Sequence, residues 1–422
     1  MKYYSAAVAS VLMTLAGAAT ADVTLTVLID DNADTSATMQ ALTERYSELH
    51  PDVSFDIEVR PGGSDGDNIV KTRLATGEMA DIFNYNSGSL FQALNPTKTL
   101  ADLSDLPSQA NVIDSFKSVV SAEGKVYGIP VGSAMGGGIF YNRKVYADLG
   151  LSVPMTWADF MANNAKVAEA GLTPVATTFG ATWTSQLFVL ADYFNVQIAE
   201  PDFAERYTAN QAKYATSPAA MRGFEHLQEV FEAGYMNADF GAATYDEGVA
   251  MVANGDAAHY PMLTFALGNI VQNMPELLPD VGFFAQPGDD AAQNGLTVWM
   301  PGGMYISAAS PHIEEAKGFL DFVATVEGCD IQTAANGFQG PYLIKGCTAP
   351  DDIPAAVADM MPYFETEGRT APALEFLSPI KGPALEQITV EVGSGIRSAA
   401  DAAALYDQDV EKQAKQLGLP NW

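Results

Sequence analysis

The sequence predicts an α/β protein of two lobes, with a mostly parallel sheet flanked by helices. Three observations carry this. Strand-like and helix-like stretches alternate as β-α-β-α-β over residues 23–85. The chain has 422 residues, more than one core usually fills. It contains no Gly/Ser-rich tract to act as a linker, so it should cross between its lobes more than once.

In order, "VTLTVLI" (23–29) alternates and is rich in β-branched residues, which predicts a strand. After the polar corner "DDNADTS", Met39, Leu42, Tyr46 and Leu49 recur at helical spacing. "PDVSFDIEV" (51–59) predicts a second strand, "IVKTRLATG" a helix after a Gly-rich loop, and "MADIFNY" (79–85) a third, buried strand. Parallel sheets place ligands at the carboxyl ends of their strands. That singles out the loops at 30–32 and 84–89. "GKVYGIPVGSAMGGGIFYNRKVYADLGL" (124–151) predicts a hairpin-like approach, a triple glycine and a further strand. "TWADFMANNAKVAEAGL" (156–172) predicts a helix capped by Thr156 and ended at Gly171. From there to about residue 290 the pattern reads as mainly helical. "VGFFAQPG" and "VWMPGGMYISAASP" then return to strand, the second interrupted by Pro301, Gly302 and Gly303. Ser310 is placed as a helix cap, with Pro311 as the first helical residue.

The formal net charge is -31, which argues against nucleic acid and anionic lipid as partners. Lys2, the apolar stretch "AAVASVLMTLAGAA" and "ATA" at 19–21 have the order of a secretory leader, so residues 1–21 are predicted to be removed, leaving Asp22 first. An exported chain meets an oxidising compartment, which predicts one disulfide between Cys329 and Cys347; two free buried thiols are the alternative.

Motifs for catalysis are missing. There is no G-x-S-x-G, no G-x-x-x-x-G-K-[ST], and no G-x-G-x-x-G leading from strand to helix. The four histidines form neither H-E-x-x-H nor H-x-H, and no metal or cofactor is expected. "DGDN" (65–68) lacks the spacing and closing Glu of a calcium loop.

Four segments in order resemble the extracellular solute-binding proteins of ABC importers, in the carbohydrate group that includes maltose-binding proteins. They are "KTRLATGEMADIF" (71–83), "VYGIPVGS…GGIFYNRKVYADLGLSVPMTWADF" (126–160), "YDEGVAMVANGDAAHYPM" (245–262) and "PGGMYISAASPHIEEAKGFLDFV" (301–323). The chain departs from the family pattern at Ala80, where Pro is usual, and at Val249, where Ala is usual. The resemblance implies a two-lobed periplasmic-binding-protein fold with three crossings, near Val131–Ser133, Pro301–Gly302 and Gln339–Gly340. It divides the chain into a leader (1–21), a first lobe (22–131 with 302–338) and a second (132–301 with 339–422). It implies a soluble, monomeric periplasmic protein that carries a sugar or oligosaccharide to a membrane permease, without catalysis. A polyol or other small polar solute, or a secreted carbohydrate-active enzyme, are the alternatives.

A sugar has C–H faces that suit aromatic planes and hydroxyl edges that suit forked polar groups. Candidates at the predicted loops and crossings are Asp31, Asn32, Asn84, Asn86, Ser87, Ser133, Trp183, Tyr260, Trp299, Gly302, Gly303, Gln339, Tyr342 and Arg369. Each has a plainer alternative. Trp183, Tyr260 and Trp299 could pack in the core, Asp31 and Asn32 could cap a helix, and Arg369 could form a surface ion pair. Trp157 is read as a packing residue at a helix start.

Overall fold

The computed structural model describes residues 23–422. The predicted leader, 1–21, and its cut before Asp22 lie outside them. In chain order, β1 (Val23–Asp30), β2 (Val53–Arg60), β3 (Ile82–Tyr85) and β4 (Gly128–Pro130) belong to one sheet. Then β5 (Met135–Asn142), β6 (Thr173–Val175), β7 (Ala257–Leu263), β8 (Val281–Ala285) and β9 (Leu296–Trp299) build another. The chain returns to the first sheet with β10 (Gly303–Ile306) and to the second with β11 (Thr370–Pro372).

The first sheet runs β2-β1-β3-β10-β4. β1 is parallel to β2 and β3, as the alternating β-α pattern requires, while β10 lies antiparallel between β3 and β4. Leu25, Val27, Leu28 and Ile29 of β1 are all buried, because helices cover both faces. The second sheet runs β11-β9-β5-β7-β6, with β8 also paired to β5. β5 is antiparallel to β7, β8 and β9. β7 lies inside the stretch read as mainly helical. Six of its seven residues are buried, so "AAHYPML" shows no alternation to mark it as a strand.

Local signals hold at Thr156, whose side chain and Asp159 form a reciprocal cap on the helix Trp157–Glu169. Gly171 follows that helix at φ +79°, where a side chain would be strained. Ser310 does not cap as expected. Its hydroxyl donates to Asp81, and the helix begins at Ile313 after His312.

The chain passes between the sheets at 131–134 and at 300–302. The sequence reading puts the third passage at Gln339–Gly340. Gln339 does reach across, its Nε2 donating to the Phe265 carbonyl at 3.3 Å. The chain then turns back along the first lobe. Ile113 N–H donates to Leu343 O (2.9 Å), Lys345 N–H to Asn111 O (2.8 Å), and Cys347 is bonded to Cys329. The final departure therefore comes between Cys347 and the helix Ala355–Glu365, which packs on β8. Those bonds tie 343–347 to segments assigned to the first lobe.

Candidate functional site

A cleft of about 320 Å³ lies where the two sheets face each other. The carboxyl ends of β1 and β3, the first two passages, parts of the segment 337–344, the helix Val326–Asn336 and the turn Thr182–Gln186 line it. Its position follows from the topology, since strand ends and crossings bring loops to one place.

Of the sequence candidates, Asn32, Asn84, Asn86, Ser87, Ser133, Trp183, Trp299, Gly302, Gln339 and Tyr342 line this cleft. Asn32 occupies the cap position of the helix Ala33–Leu49, yet its side chain makes no capping bond. Ser87 Oγ donates to the Pro301 carbonyl at 2.9 Å, pinning β3 to the second passage. Gly302 is needed for close approach: a Cβ there would meet Tyr85 O at 3.0 Å and Asn84 Nδ2 at 3.1 Å. Tyr342 hydrogen-bonds Thr333 through its hydroxyl.

Four candidates fall elsewhere. Asp31 is exposed and is not among the residues that line the cleft. Tyr260, 1% exposed, sits in β7 with its hydroxyl on Thr178 Oγ1 at 2.9 Å, so it is core. Gly303 is in β10, where a Cβ would strike the Tyr305 ring at 2.6 Å. Arg369 bonds Asn294 Oδ1 (3.1 Å) and lies over the Tyr363 ring, 5.0 Å from its centroid.

The two cleft tryptophans differ. Trp183 is half-buried and stands with Tyr245 and Phe265 at 5.5 and 6.0 Å between ring centroids. It also meets the opposite lobe: a Cβ at Gly62 would lie 3.6 Å from its indole nitrogen. Trp299 is only 5% exposed, and its indole N–H donates to Glu375. Its ring is laid on the Gly137 backbone, where a Cβ would come within 2.2 Å of Cζ3. Gly137→Ala should therefore cost about 1–3 kcal/mol in urea denaturation through overpacking. An unchanged midpoint would mean the ring does not lie there.

The charged lining escaped the sequence reading. Asp30, Asp34, Asp67, Glu375 and Glu386 line the cleft, together with Arg60 and Lys381. Lys381 pairs with Glu375 at 3.4 Å. Arg60 donates to the carbonyls of Pro61 and Asn84, both at 3.1 Å, and its Nε has no partner among the described residues. Ser133 Oγ and Asp34 Oδ1 also lack partners there. Burial raises the Asp67 carboxyl above its ordinary range. Asp30 was within reach of the strand-end rule; Glu375, Lys381 and Glu386 arrive from the far end of the chain by packing alone.

The model of the family described as bacterial extracellular solute-binding protein matches residues 30–328. The chain belongs to that family. This solute-binding protein is 24% identical over 323 residues to the multiple sugar-binding protein of Streptococcus mutans, covering 75% of this chain and 74% of that one. It is 26% identical over 317 residues to the melibiose/raffinose/stachyose-binding protein MelE of Bacillus subtilis, covering 71% and 68%. Among solved structures it is similar to a chitin oligosaccharide binding protein, with a TM-score of 0.81 at 22% identity over 93% of this chain and 99% of that one. RafE in complex with raffinose gives 0.77 at 21% identity, covering 94% and 99%. The family is one of binding proteins rather than enzymes. Among the described residues of this solute-binding protein, no helix is long and apolar enough to cross a membrane.

Proposed function

We propose that this protein captures a sugar or oligosaccharide between its lobes and delivers it, as a periplasmic monomer, to the permease of an ABC importer. The observation that carries the reading is the cleft itself. It combines an aromatic plane, Trp183, with polar groups that have no partner among the described residues, Ser133 Oγ and Arg60 Nε. Such a site matches apolar sugar faces and hydroxyl edges. The names of the relatives in Streptococcus mutans and Bacillus subtilis agree with it. Asn32, Asn84 and Gln339 would fork onto hydroxyls. The moving bodies would be 23–131 with 302–347 and 132–301 with 348–422, the passages absorbing the hinge change.

Thermal unfolding against a panel of mono- and oligosaccharides and polyols tests this, since a ligand bound only by the folded state raises the midpoint. At least one carbohydrate should shift it; shifts by polyols alone would replace sugar with polyol as the ligand. Trp183→Ala should weaken binding by about 2 kcal/mol, roughly 30-fold, with little change in the unliganded midpoint. A large fall in that midpoint would instead make Trp183 a core residue.

A further inference from the structure

We propose that the cleft takes a sugar bearing a protonated amino group, with Asp34 and Asp30 as the acceptors of that ammonium. The inference rests on the carbohydrate reading above and adds the chemistry of one substituent.

Asp34 is 6% exposed, lines the cleft, and its Oδ1 has no hydrogen-bond partner among the described residues. It stands in the first turn of the helix Ala33–Leu49, just after Asp30 at the end of β1. Groups from every neighbouring element face it. From the helix Val326–Asn336, Asn336 Nδ2 donates to the Asp34 backbone carbonyl at 2.8 Å. From the helix Leu267–Asn273 comes Gly268, where a Cβ would lie 3.0 Å from the Asp34 Cβ. From the helix Tyr245–Asn254 come Tyr245 and the like-charged Asp246; the Tyr245 hydroxyl is likewise unpartnered among the described residues. The nearest cation in this set is Arg60, which acts on Asp30.

The whole cleft has the same imbalance. Five carboxylates line it against two cations, and one of those, Lys381, is held by Glu375. A sugar hydroxyl can donate one hydrogen bond to a buried carboxylate but leaves the charge uncompensated. An ammonium supplies three donors and the opposite charge. An anionic sugar, a uronate or a phosphate ester, would add repulsion.

Without such a partner the pair lowers its charge by keeping a proton. Burial first, then the neighbouring Asp30, push the Asp34 carboxyl up to about 7, and burial raises Asp30 as well. Binding an ammonium would expel that proton. Affinity for an amino sugar should therefore rise with pH up to neutrality, by at most about tenfold per pH unit, and fall again as the amine itself deprotonates near about pH 8. A neutral sugar gains nothing from the same change.

Calorimetry on the full mature protein at about pH 7, with glucosamine, galactosamine and mannosamine, free and as short oligomers, tests this. Each is compared with its N-acetylated and its hydroxyl counterpart. At least one amine should bind more tightly than both counterparts by about tenfold or more, and the preference should shrink at about pH 5. Asp34→Asn keeps an acceptor oxygen but removes the charge, so it should abolish the preference; Asp30→Asn is the second arm if that variant fails to fold. If neutral sugars bind as well as their amino forms, or the preference survives both variants, the ammonium subsite is wrong and the carbohydrate reading stands. If potassium or calcium chloride raises the unfolding midpoint as the amine does, the site is a general cation site and the proposal falls. If no sugar of either kind binds, both readings fall.

Discussion

Replacing Cys329 and Cys347 together by Ala should lower the unfolding free energy by about 3 kcal/mol. The bond closes a chain separation of 18 residues, and a loop of that size restricts the unfolded chain by about that much. Function should suffer too. Cys329 lies on the helix Val326–Asn336, whose Gln332, Thr333 and Asn336 line the cleft, and Cys347 ends the segment carrying Tyr342 and Leu343 on the adjoining wall. The disulfide ties these two walls together. Gln332 also accepts the Gly132 N–H at 2.7 Å, so the tie reaches the first passage. Urea denaturation with and without reductant gives the stability, and calorimetry the affinity. A fall in stability with unchanged affinity would show that hydrogen bonds alone hold the wall. An unchanged urea midpoint would mean that the unfolded chain gains nothing from losing the bridge.

What could be read in the sequence depended on local pattern. β1 and β3 showed alternation or compact apolar runs bounded by polar loops, and their carboxyl ends do line the cleft through Asn32, Asn84, Asn86 and Ser87. Pro301 and Gly302 showed only as an interruption of a strand, and the family resemblance is what put a passage there. β7 gave no such signal: buried on both faces and set between helices, it lost its alternation, and Tyr260 was placed at the ligand when it belongs to the core. Trp299 stood between the two readings and remains there in space, a packed ring whose edge borders the cleft. The charges that line the cleft were the least legible. Asp34 lies one step inside a helix, and Glu375, Lys381 and Glu386 sit where no motif marks them. Their meeting is a property of tertiary packing and not of spacing.

A second large effect concerns a charge far from the cleft. Asp192 is 1% exposed; its Oδ1 accepts from Asn195 Nδ2 at 2.8 Å and Gln286 Nε2 at 3.1 Å, while its Oδ2 has no partner among the described residues. His226 Nδ1 lies 3.6 Å from that Oδ1, which would suggest an ion pair. Burial, then Arg222, hold the imidazole well below its usual range, so it stays neutral, stacked on Trp157 at 3.7 Å between centroids. Burial outweighs the two amide hydrogen bonds and the lowering pull of Arg222, so the Asp192 carboxyl is pushed up to about 7. Its contribution is therefore full below about pH 4 and lost as pH rises to about 7, at roughly 1.4 kcal/mol per unit and about 4 kcal/mol in all. His226 and His259, both held neutral by burial, act the other way. Their contribution is present above about pH 6.5 and lost as pH falls. The opposing slopes cancel in part, so the parent protein alone reveals little. Comparison with Asp192→Asn separates them. Between about pH 5 and pH 7 the variant should gain on the parent by roughly 2–3 kcal/mol, whatever fixed cost the amide brings. Chemical denaturation at several pH values measures the difference, and parallel curves would mean that Asp192 is already ionised at about pH 5.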